Sequence, residues 1–442
     1  MKSLSPLILF LLLYLGVSIV LGDFYKVPVT VAFMLCSVYA VSISRGAIQE
    51  RIECYSRGAG SPTVLLMVWI YILAGAFATS AKAMGAVDAT VSMTLQVLPS
   101  SMLLPGIFLA ACFISLAIGT SVGTIVALTP VATGIAQQSD MSLAMMVAIV
   151  VGGAYFGDNL SFISDTTIAA TQTQGCRMRD KFRTNLRLVL PIAIIVLLAY
   201  YMMGRGIVIT HDIQQFNGWK VIPYLAVIIT AVCGLNVMTV LLLGLLLTAI
   251  IGIADGSYDV FGWMGAMGDG INSMGELIIM AILAAGMLEM IRAMGGIDFL
   301  IRLLTRGIKS QRGAELSVSC LVCLVNICTA NNTVAIITTG PIARQIATRF
   351  GICPRRCASL LDTSSCFTQG ILPYSAQMLA AAGLVEATAG ISINPASIVP
   401  WLFYPMGIGV AVLISIACPR LLGHNDSEDD SCLDNDLPEQ AK

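Results

Sequence analysis

Lys82-Ala-Met-Gly-Ala-Val-Asp88 is answered 210 residues later by Arg292-Ala-Met-Gly-Gly-Ile-Asp298. Four of these seven residues are identical and three are conservative. At a shift of 211, Gly75 meets Gly286, Pro130 meets Pro341 and Ser164 meets Ser375. Matches that hold one offset across a whole half mark an internal repeat. Each copy carries seven apolar segments in the same rhythm. They fall at about 5–22, 27–44, 62–81, 101–118, 122–137, 142–157 and 188–204, then at 221–234, 236–253, 275–292, 315–330, 333–348, 357–373 and 398–417.

The composition says what kind of molecule repeats. Of the 442 residues, 57% are hydrophobic and 11% charged, against about 25% charged in soluble domains. Such a chain cannot cover a soluble globule with polar surface. A net charge of −1 and the lack of a basic stripe exclude a nucleic-acid binder. Continuous apolar runs, rather than alternation, exclude an outer-membrane barrel. The fold expected is an all-α polytopic membrane protein, with room for roughly ten to fourteen crossings. Segment 5–22 reads as a first membrane helix rather than a signal peptide, since no small-residue cleavage site follows. The thirteen cysteines are scattered, mostly in apolar runs, and read as core- or lipid-facing rather than as a disulfide or metal framework. Residues 1–205 form the first repeat and 218–422 the second. Residues 424–442 hold seven acids and one lysine and read as an acidic, disordered cytoplasmic tail.

Seven crossings per copy would set the second copy upside down, and loop charge tests this independently. Residues 45–61 carry Arg45, Arg51 and Arg57, whereas their counterpart 255–270 has no base. Residues 176–187 carry Arg177, Arg179, Lys181, Arg183 and Arg187, whereas 386–399 has none. The bias then reverses: 292–312 holds five bases against Lys82 alone in 82–100, and 344–356 holds four arginines against none in 137–141. Two inverted-topology repeats are the result, with both termini cytoplasmic. Secondary transporters use this plan, with broken or re-entrant helices and a site at the midplane. The lack of a Walker loop leaves ATP-driven transport without support.

Three polar stretches interrupt the apolar pattern. Gly119-Thr-Ser-Val-Gly-Thr124 and its partner Thr329-Ala-Asn-Asn-Thr333 offer small and hydroxyl or amide residues where a helix would unwind at membrane depth. The alternative is a tight turn or interhelical hydrogen bonding. Gly157-Asp-Asn-Leu-Ser-Phe-Ile-Ser-Asp-Thr-Thr167 carries two acids. Each would cost roughly 2.5–3.5 kcal/mol at the bilayer centre, and a cation site would account for them. If the stretch is helical, Asp158, Ser161 and Asp165 share a face; if it is broken, Asp165 caps a helix from Thr166. The alternative is a water-filled cytoplasmic mouth. In the third stretch, Asp362 to Ser375, Gln369 falls on Asp158, so the halves are not equivalent. Glu289 reads as a structural ion pair near Arg292, and Asp88 and Asp298 as interfacial.

The run Gly157-Asp-x-x-Ser-x-x-Ser-Asp-Thr-Thr167 resembles the signature of the NhaC-type Na+/H+ antiporter family, within the broader ion transporter superfamily. The likeness covers nearly the whole chain apart from the tail. It implies a cation/proton antiporter, or a relative of the malate/lactate exchangers that couples organic anions to Na+ and H+. The superfamily's Ser-Asn-Thr tips are echoed by Asn331-Asn332-Thr333, but only by Ser121-Val-Gly-Thr124 in the first half. Phe162 stands where family members often carry proline.

The expected function is therefore Na+/H+ exchange across the cell membrane, the bacterial inner membrane, by alternating access. The alternative is organic-anion or amino-acid exchange on the same scaffold. Asp158 and Asp165 are the expected Na+ ligands. Asn159, Ser161, Ser164, Thr166, Thr120, Thr124, Asn331, Asn332, Thr333, Asp362 and Gln369 complete the candidate ion or substrate site, since alkali cations take hard oxygen ligands. No intramembrane Arg or Lys stands out, which weighs against a carboxylate substrate. With His211 in a loop and His424 in the tail as the two histidines, and no HExxH or GxSxG, an enzyme is not expected. No cofactor is expected beyond the transported Na+ and H+. The expected partner is the lipid bilayer, with a homodimer admitted but not specified.

Overall fold

The computed structural model describes residues 2–13, 29–97, 99–139, 141–161, 164–205, 217–233, 235–305 and 308–418. The acidic tail, Phe162 and His211 lie outside the described residues.

All regular structure among these residues is helical. The first half contains α1 (Ser5–Leu11), α2 (Val29–Ile43), α3 (Ile48–Ala59), α4 (Pro62–Ala83), α5 (Ala86–Val97), α6 (Leu103–Ile118), α7 (Ser121–Gln137), α8 (Leu143–Leu160), α9 (Asp165–Gln174) and α10 (Met178–Gly204). The second contains α11 (Ile222–Val232), α12 (Val237–Ala254), α13 (Val260–Ser273), α14 (Gly275–Ala293), α15 (Gly296–Thr305), α16 (Gln311–Thr329), α17 (Asn332–Phe350), α18 (Pro354–Ile371), α19 (Ala376–Ala389), α20 (Pro395–Ile398) and α21 (Phe403–Ala417). The order of helices runs through one pattern twice, with α10 answered by α21. The Lys82–Asp88 and Arg292–Asp298 motifs are the same turn. Gly85 (φ 79°) and Gly295 (φ 76°) take the left-handed conformation that glycine tolerates, and Asp88 and Asp298, both exposed, lie in the first turn of the next helix.

The molecule is an all-helical, multi-span membrane protein. Among the described residues, six helical stretches are long and apolar enough to cross a membrane, or seven if Pro395–Trp401 and Phe403–Ala417, bent by 58°, form one span. This is fewer than the ten to fourteen crossings that the chain length admits. The break at Gly119 cuts one apolar run into α6 and α7, of 16 and 17 residues. About 20 residues are needed to span alone.

The two halves interlock. α4 packs on α12 and α13, while α14 packs on α2 and α3. α9 packs on α17, and α19 on α7. At the centre, Ser121–Ala136 of α7 is buried without a gap and α8 is buried over nearly its whole length. α10 and α12 instead leave large apolar side chains such as Ile195, Leu198, Leu246 and Ile250 exposed, as a lipid-facing surface requires. Small residues let the inner helices approach closely. A Cβ on Gly157 would fall inside the van der Waals shell of Ser115, and one on Gly153 against the backbone of Phe108. The α6–α8 contact therefore needs glycine immediately before Asp158. Among the described residues no cysteine is joined in a disulfide.

Candidate functional site

The site begins with two helix breaks. α6 ends on Gly119 (φ 73°) and α16 on Ala330 (φ 47°), both left-handed, and α7 and α17 start two residues later. Glycine tolerates this conformation; a non-glycine residue in it pays roughly 1–2 kcal/mol. Thr120 and Asn331 are the respective N-cap residues, and Asn331 Oδ1 accepts from the Val334 N–H at 3.0 Å. The breaks create the N-termini of α7 and α17, with the positive ends of their dipoles; at α17 the Thr333 and Val334 N–H groups are taken by Asn332 Oδ1 and Asn331 Oδ1.

Asp158 answers the first of these ends. It is 4% exposed, and its Oδ1 accepts from the Ser121 N–H at 3.1 Å. The carboxylate of α8 thus sits on the N-terminus of α7. Gln369 holds the equivalent place in the second half with opposite chemistry. Its amide donates to the carbonyl of Ala330 at 2.8 Å and to Gln377 Oε1 at 3.0 Å. Gln377 donates in turn to Ser121 Oγ at 3.1 Å, closing a polar chain across the two halves. Repeat-equivalent hydrogen bonds hold both arrangements. Ser115 Oγ donates to the Ala154 carbonyl at 2.5 Å, and Asn326 Nδ2 to the Ser365 carbonyl at 2.7 Å; both partners are 211 apart.

These groups surround a cavity of about 310 Å³. Of the candidate residues, Asp158, Ser164, Asp165, Thr166, Thr120, Asn331, Asn332, Thr333 and Gln369 line it, with Ser121 and Gln377 added and Leu66, Met67 and Ile70 as apolar wall. Carboxylate, hydroxyl and amide oxygens from both halves therefore face one space, a donor set suited to an alkali cation. Thr124, Asn159, Ser161 and Asp362 are not among the lining residues. Thr124 Oγ1 donates to the Thr120 carbonyl and Ser161 Oγ to the Leu116 carbonyl, both helix-end contacts. Asn159 Nδ2 donates to Tyr404 Oη at 3.1 Å.

Two local expectations are corrected. α8 stops at Leu160 and α9 starts at Asp165, so no helix face joins Asp158, Ser161 and Asp165. Asp165 does not cap a helix from Thr166 either. It is the first residue of α9, and the N-cap is Ser164, whose Oγ pairs with Thr166 Oγ1 at 2.8 Å. Asp165 is exposed at the cavity. Glu289 lines a separate cavity with Arg57 and Arg292 that also reaches Asn331.

A third correction concerns residues 176–187, read as a basic loop. From Met178 they are the opening turns of α10, and Lys181 is 1% exposed. Its Nζ lies 2.8 Å from Asp362 Oδ2, 3.0 Å from the Asn159 carbonyl and 2.7 Å from Thr167 Oγ1. Asn185 donates to the same Asp362 oxygen at 2.7 Å. A buried lysine therefore sits in the helical core, bound to an acid of the other half. The signal for it was periodicity. Lys181, Asn185, Leu188, Val196 and Tyr200 lie on the inward stripe of α10, and that stripe continues past the point where apolar residues stop.

A model of the Na+/H+ antiporter family matches residues 5–205 and again 208–418. An uncharacterized Na+/H+ antiporter of Haemophilus influenzae is 22% identical, over 93% of this chain and 97% of its own. The malate-2H+/Na+-lactate antiporter of Bacillus subtilis is also 22% identical, over 80% of this chain and 81% of its own. The Na+/H+ antiporter NhaC of Alkalihalophilus pseudofirmus is 27% identical, over 58% and 61%. Matched over nearly all of its described length, and with paired helix breaks facing a buried carboxylate, this chain belongs to the Na+/H+ antiporter family.

Proposed function

We propose that the chain exchanges Na+ for H+ by alternating access, with Asp158 as the anionic ligand and Asp165 as the second acid at the cavity. The observation that carries this reading is the single cavity in which Asp158 meets oxygen-bearing residues of both helix breaks. Na+ and H+ compete for one carboxylate, so loading one expels the other. Thr120, Asn331, Asn332, Thr333 and Gln369 supply neutral dipoles, and Asn159, Ser161 and Thr124 hold the helix ends that frame the cavity.

A second reading has a specific observation in its favour. The N-termini of α7 and α17 open into the same cavity, through Ser121 and Val122 on one side and Asn332 and Thr333 on the other. Helix N-termini bind carboxylates, and one relative is a malate/lactate exchanger. Proteoliposomes separate the two, with internal pH followed while Na+, Li+, K+ and small dicarboxylates are added in turn. A pH change on Na+ alone is expected. A response that requires a carboxylate as well would replace Na+/H+ exchange with the second reading.

The halves are proposed to be inverted repeats, 1–205 and 218–422, with the breaks near the bilayer midplane, both termini cytoplasmic and residues 424–442 a cytoplasmic tail. The support is the reversal of loop charge between matched loops, together with the twofold order of helices. Single cysteines placed at 45–61, 176–179, 308–312 and 351–355 should be shielded from an impermeant reagent added outside intact cells. Labelling at 176–179 from outside would overturn the inverted arrangement.

A further inference from the structure

Lys181 is surrounded as an alkali cation would be. Its ammonium touches a carboxylate oxygen (Asp362 Oδ2), a backbone carbonyl (Asn159) and a hydroxyl (Thr167 Oγ1), all within 3.0 Å. These are hard oxygens from three different helices, α18, α8 and α9, and they use all three of the ammonium's donors. Lys181 and Asp362 are 1% and 0% exposed. Two further oxygens on the same residue set, Asp362 Oδ1 and Asn185 Oδ1, are buried with no hydrogen-bond partner among the described residues. The cage adjoins the cavity through the chain itself. Asn159 follows Asp158, and Thr166 and Thr167 both donate to the Asp158 carbonyl, at 3.2 and 3.4 Å.

We infer that the Lys181 ammonium is a tethered cation filling an oxygen cage that would otherwise take a second Na+, and that it restricts the chain to one Na+ bound at Asp158. This rests on the reading of Asp158 as the Na+ ligand. Charge counting supports it. The buried groups of the cage and the cavity are two acids, Asp158 and Asp362, and one base, Lys181, whereas Asp165 meets the cavity as an exposed, solvated acid. The net charge of −1 on the buried groups is neutralised by one Na+, whereas without the lysine two cations are needed. Uncompensated buried charge is costly, so the number of bound cations follows the number of unpaired acids. Because it is covalently attached, the lysine stays through the cycle and never competes for release.

Radioactive Na+ binding at equilibrium to the purified full-length chain in detergent tests this, with melting temperature measured alongside. Wild type should bind one Na+ per chain. Lys181→Ala should bind two, melt lower than wild type in choline buffer, and recover as Na+ is raised. Lys181→Ala with Asp362→Asn should return to one, because the cage has lost its charge. Two Na+ on wild type, one on a folded Lys181→Ala beside one on wild type, or a Lys181→Ala chain that Na+ cannot rescue would each overturn the tethered-cation role. A wild type that binds none, beside a Lys181→Ala that binds one, would keep the cage and retire the Na+ site at Asp158. No Na+ on either chain would retire both.

Discussion

Asp158→Asn should abolish Na+-driven proton movement while leaving the fold intact. The structure separates the two roles of this side chain. As an acceptor, Asp158 Oδ1 takes the Ser121 N–H at the start of α7, and an asparagine oxygen in the same place can accept that bond. As a charge, it has no neutral substitute. Na+ loses its buried anionic ligand, and H+ loses its acceptor. A buried carboxylate worth about 3 kcal/mol to a bound cation corresponds to a loss of affinity on the order of 100-fold. Since an amide does not titrate in this range, residual activity should also lose its pH dependence. The measurement is Na+-driven pH change in proteoliposomes at several pH values, with expression and melting temperature as controls. Gln369 sits at the repeat-equivalent position and contributes dipoles rather than charge, so Gln369→Ala should be milder. Near wild-type exchange and pH profile in Asp158→Asn would move the search to Asp165 at the same cavity and to Glu289 in the neighbouring one.

The largest loss of stability is expected from Arg356→Met. Arg356 Nε and Nη2 donate to Glu315 Oε1 and Oε2 at 3.2 and 2.9 Å, and Nη2 also donates to Ser415 Oγ at 2.9 Å. The guanidinium thereby ties α16, α18 and α21 together. Removing it leaves Glu315 as a buried, unpaired carboxylate, which costs about 3–5 kcal/mol in comparable pairs. The first half shows a different solution. Shifting by 211 places Leu104 opposite Glu315 and Met145 opposite Arg356, and both are buried. The double substitution Glu315→Leu with Arg356→Met installs the apolar pair that the first half already carries. It should recover most of the stability that Arg356→Met loses, since an apolar pair of similar volume often replaces a buried ion pair at no net cost. Unfolding in detergent of the two single variants and the double completes the cycle. Simple additivity of the single losses would show that the pair is not coupled.

Class, repetition and the position of the breaks were legible in the sequence because each is a one-dimensional property. Charge density and continuous apolar runs need no knowledge of neighbours, and a constant offset between copies is read along the chain. Gly119 and the Asn331–Asn332–Thr333 stretch stood out because the chain must satisfy its own backbone inside a membrane, and only certain residues allow it to break there. Asp158 was conspicuous for its charge. The boundary between α8 and α9 was less accessible. Asp165 suits both an N-cap and a first helical turn, and in the fold it is the first residue of α9, after Ser164 as N-cap.

What meets what was decided by tertiary structure alone. Lys181 carried the same loop-like signal as Arg177 and Arg179, yet the turn of α10 points it at an acid 181 positions further along the chain. Asp362 stood among the candidate cation ligands in the sequence, and its pairing with Lys181 became visible only in the fold. Gln377 and Ser121 are 256 residues apart, and nothing local links them. Helix faces meet according to how whole segments pack, and a single hundred-degree step per residue decides whether a lysine lies in the core or in water. The net charge of the buried centre is therefore a property of the assembled helices, because it depends on which acid the lysine has already neutralised.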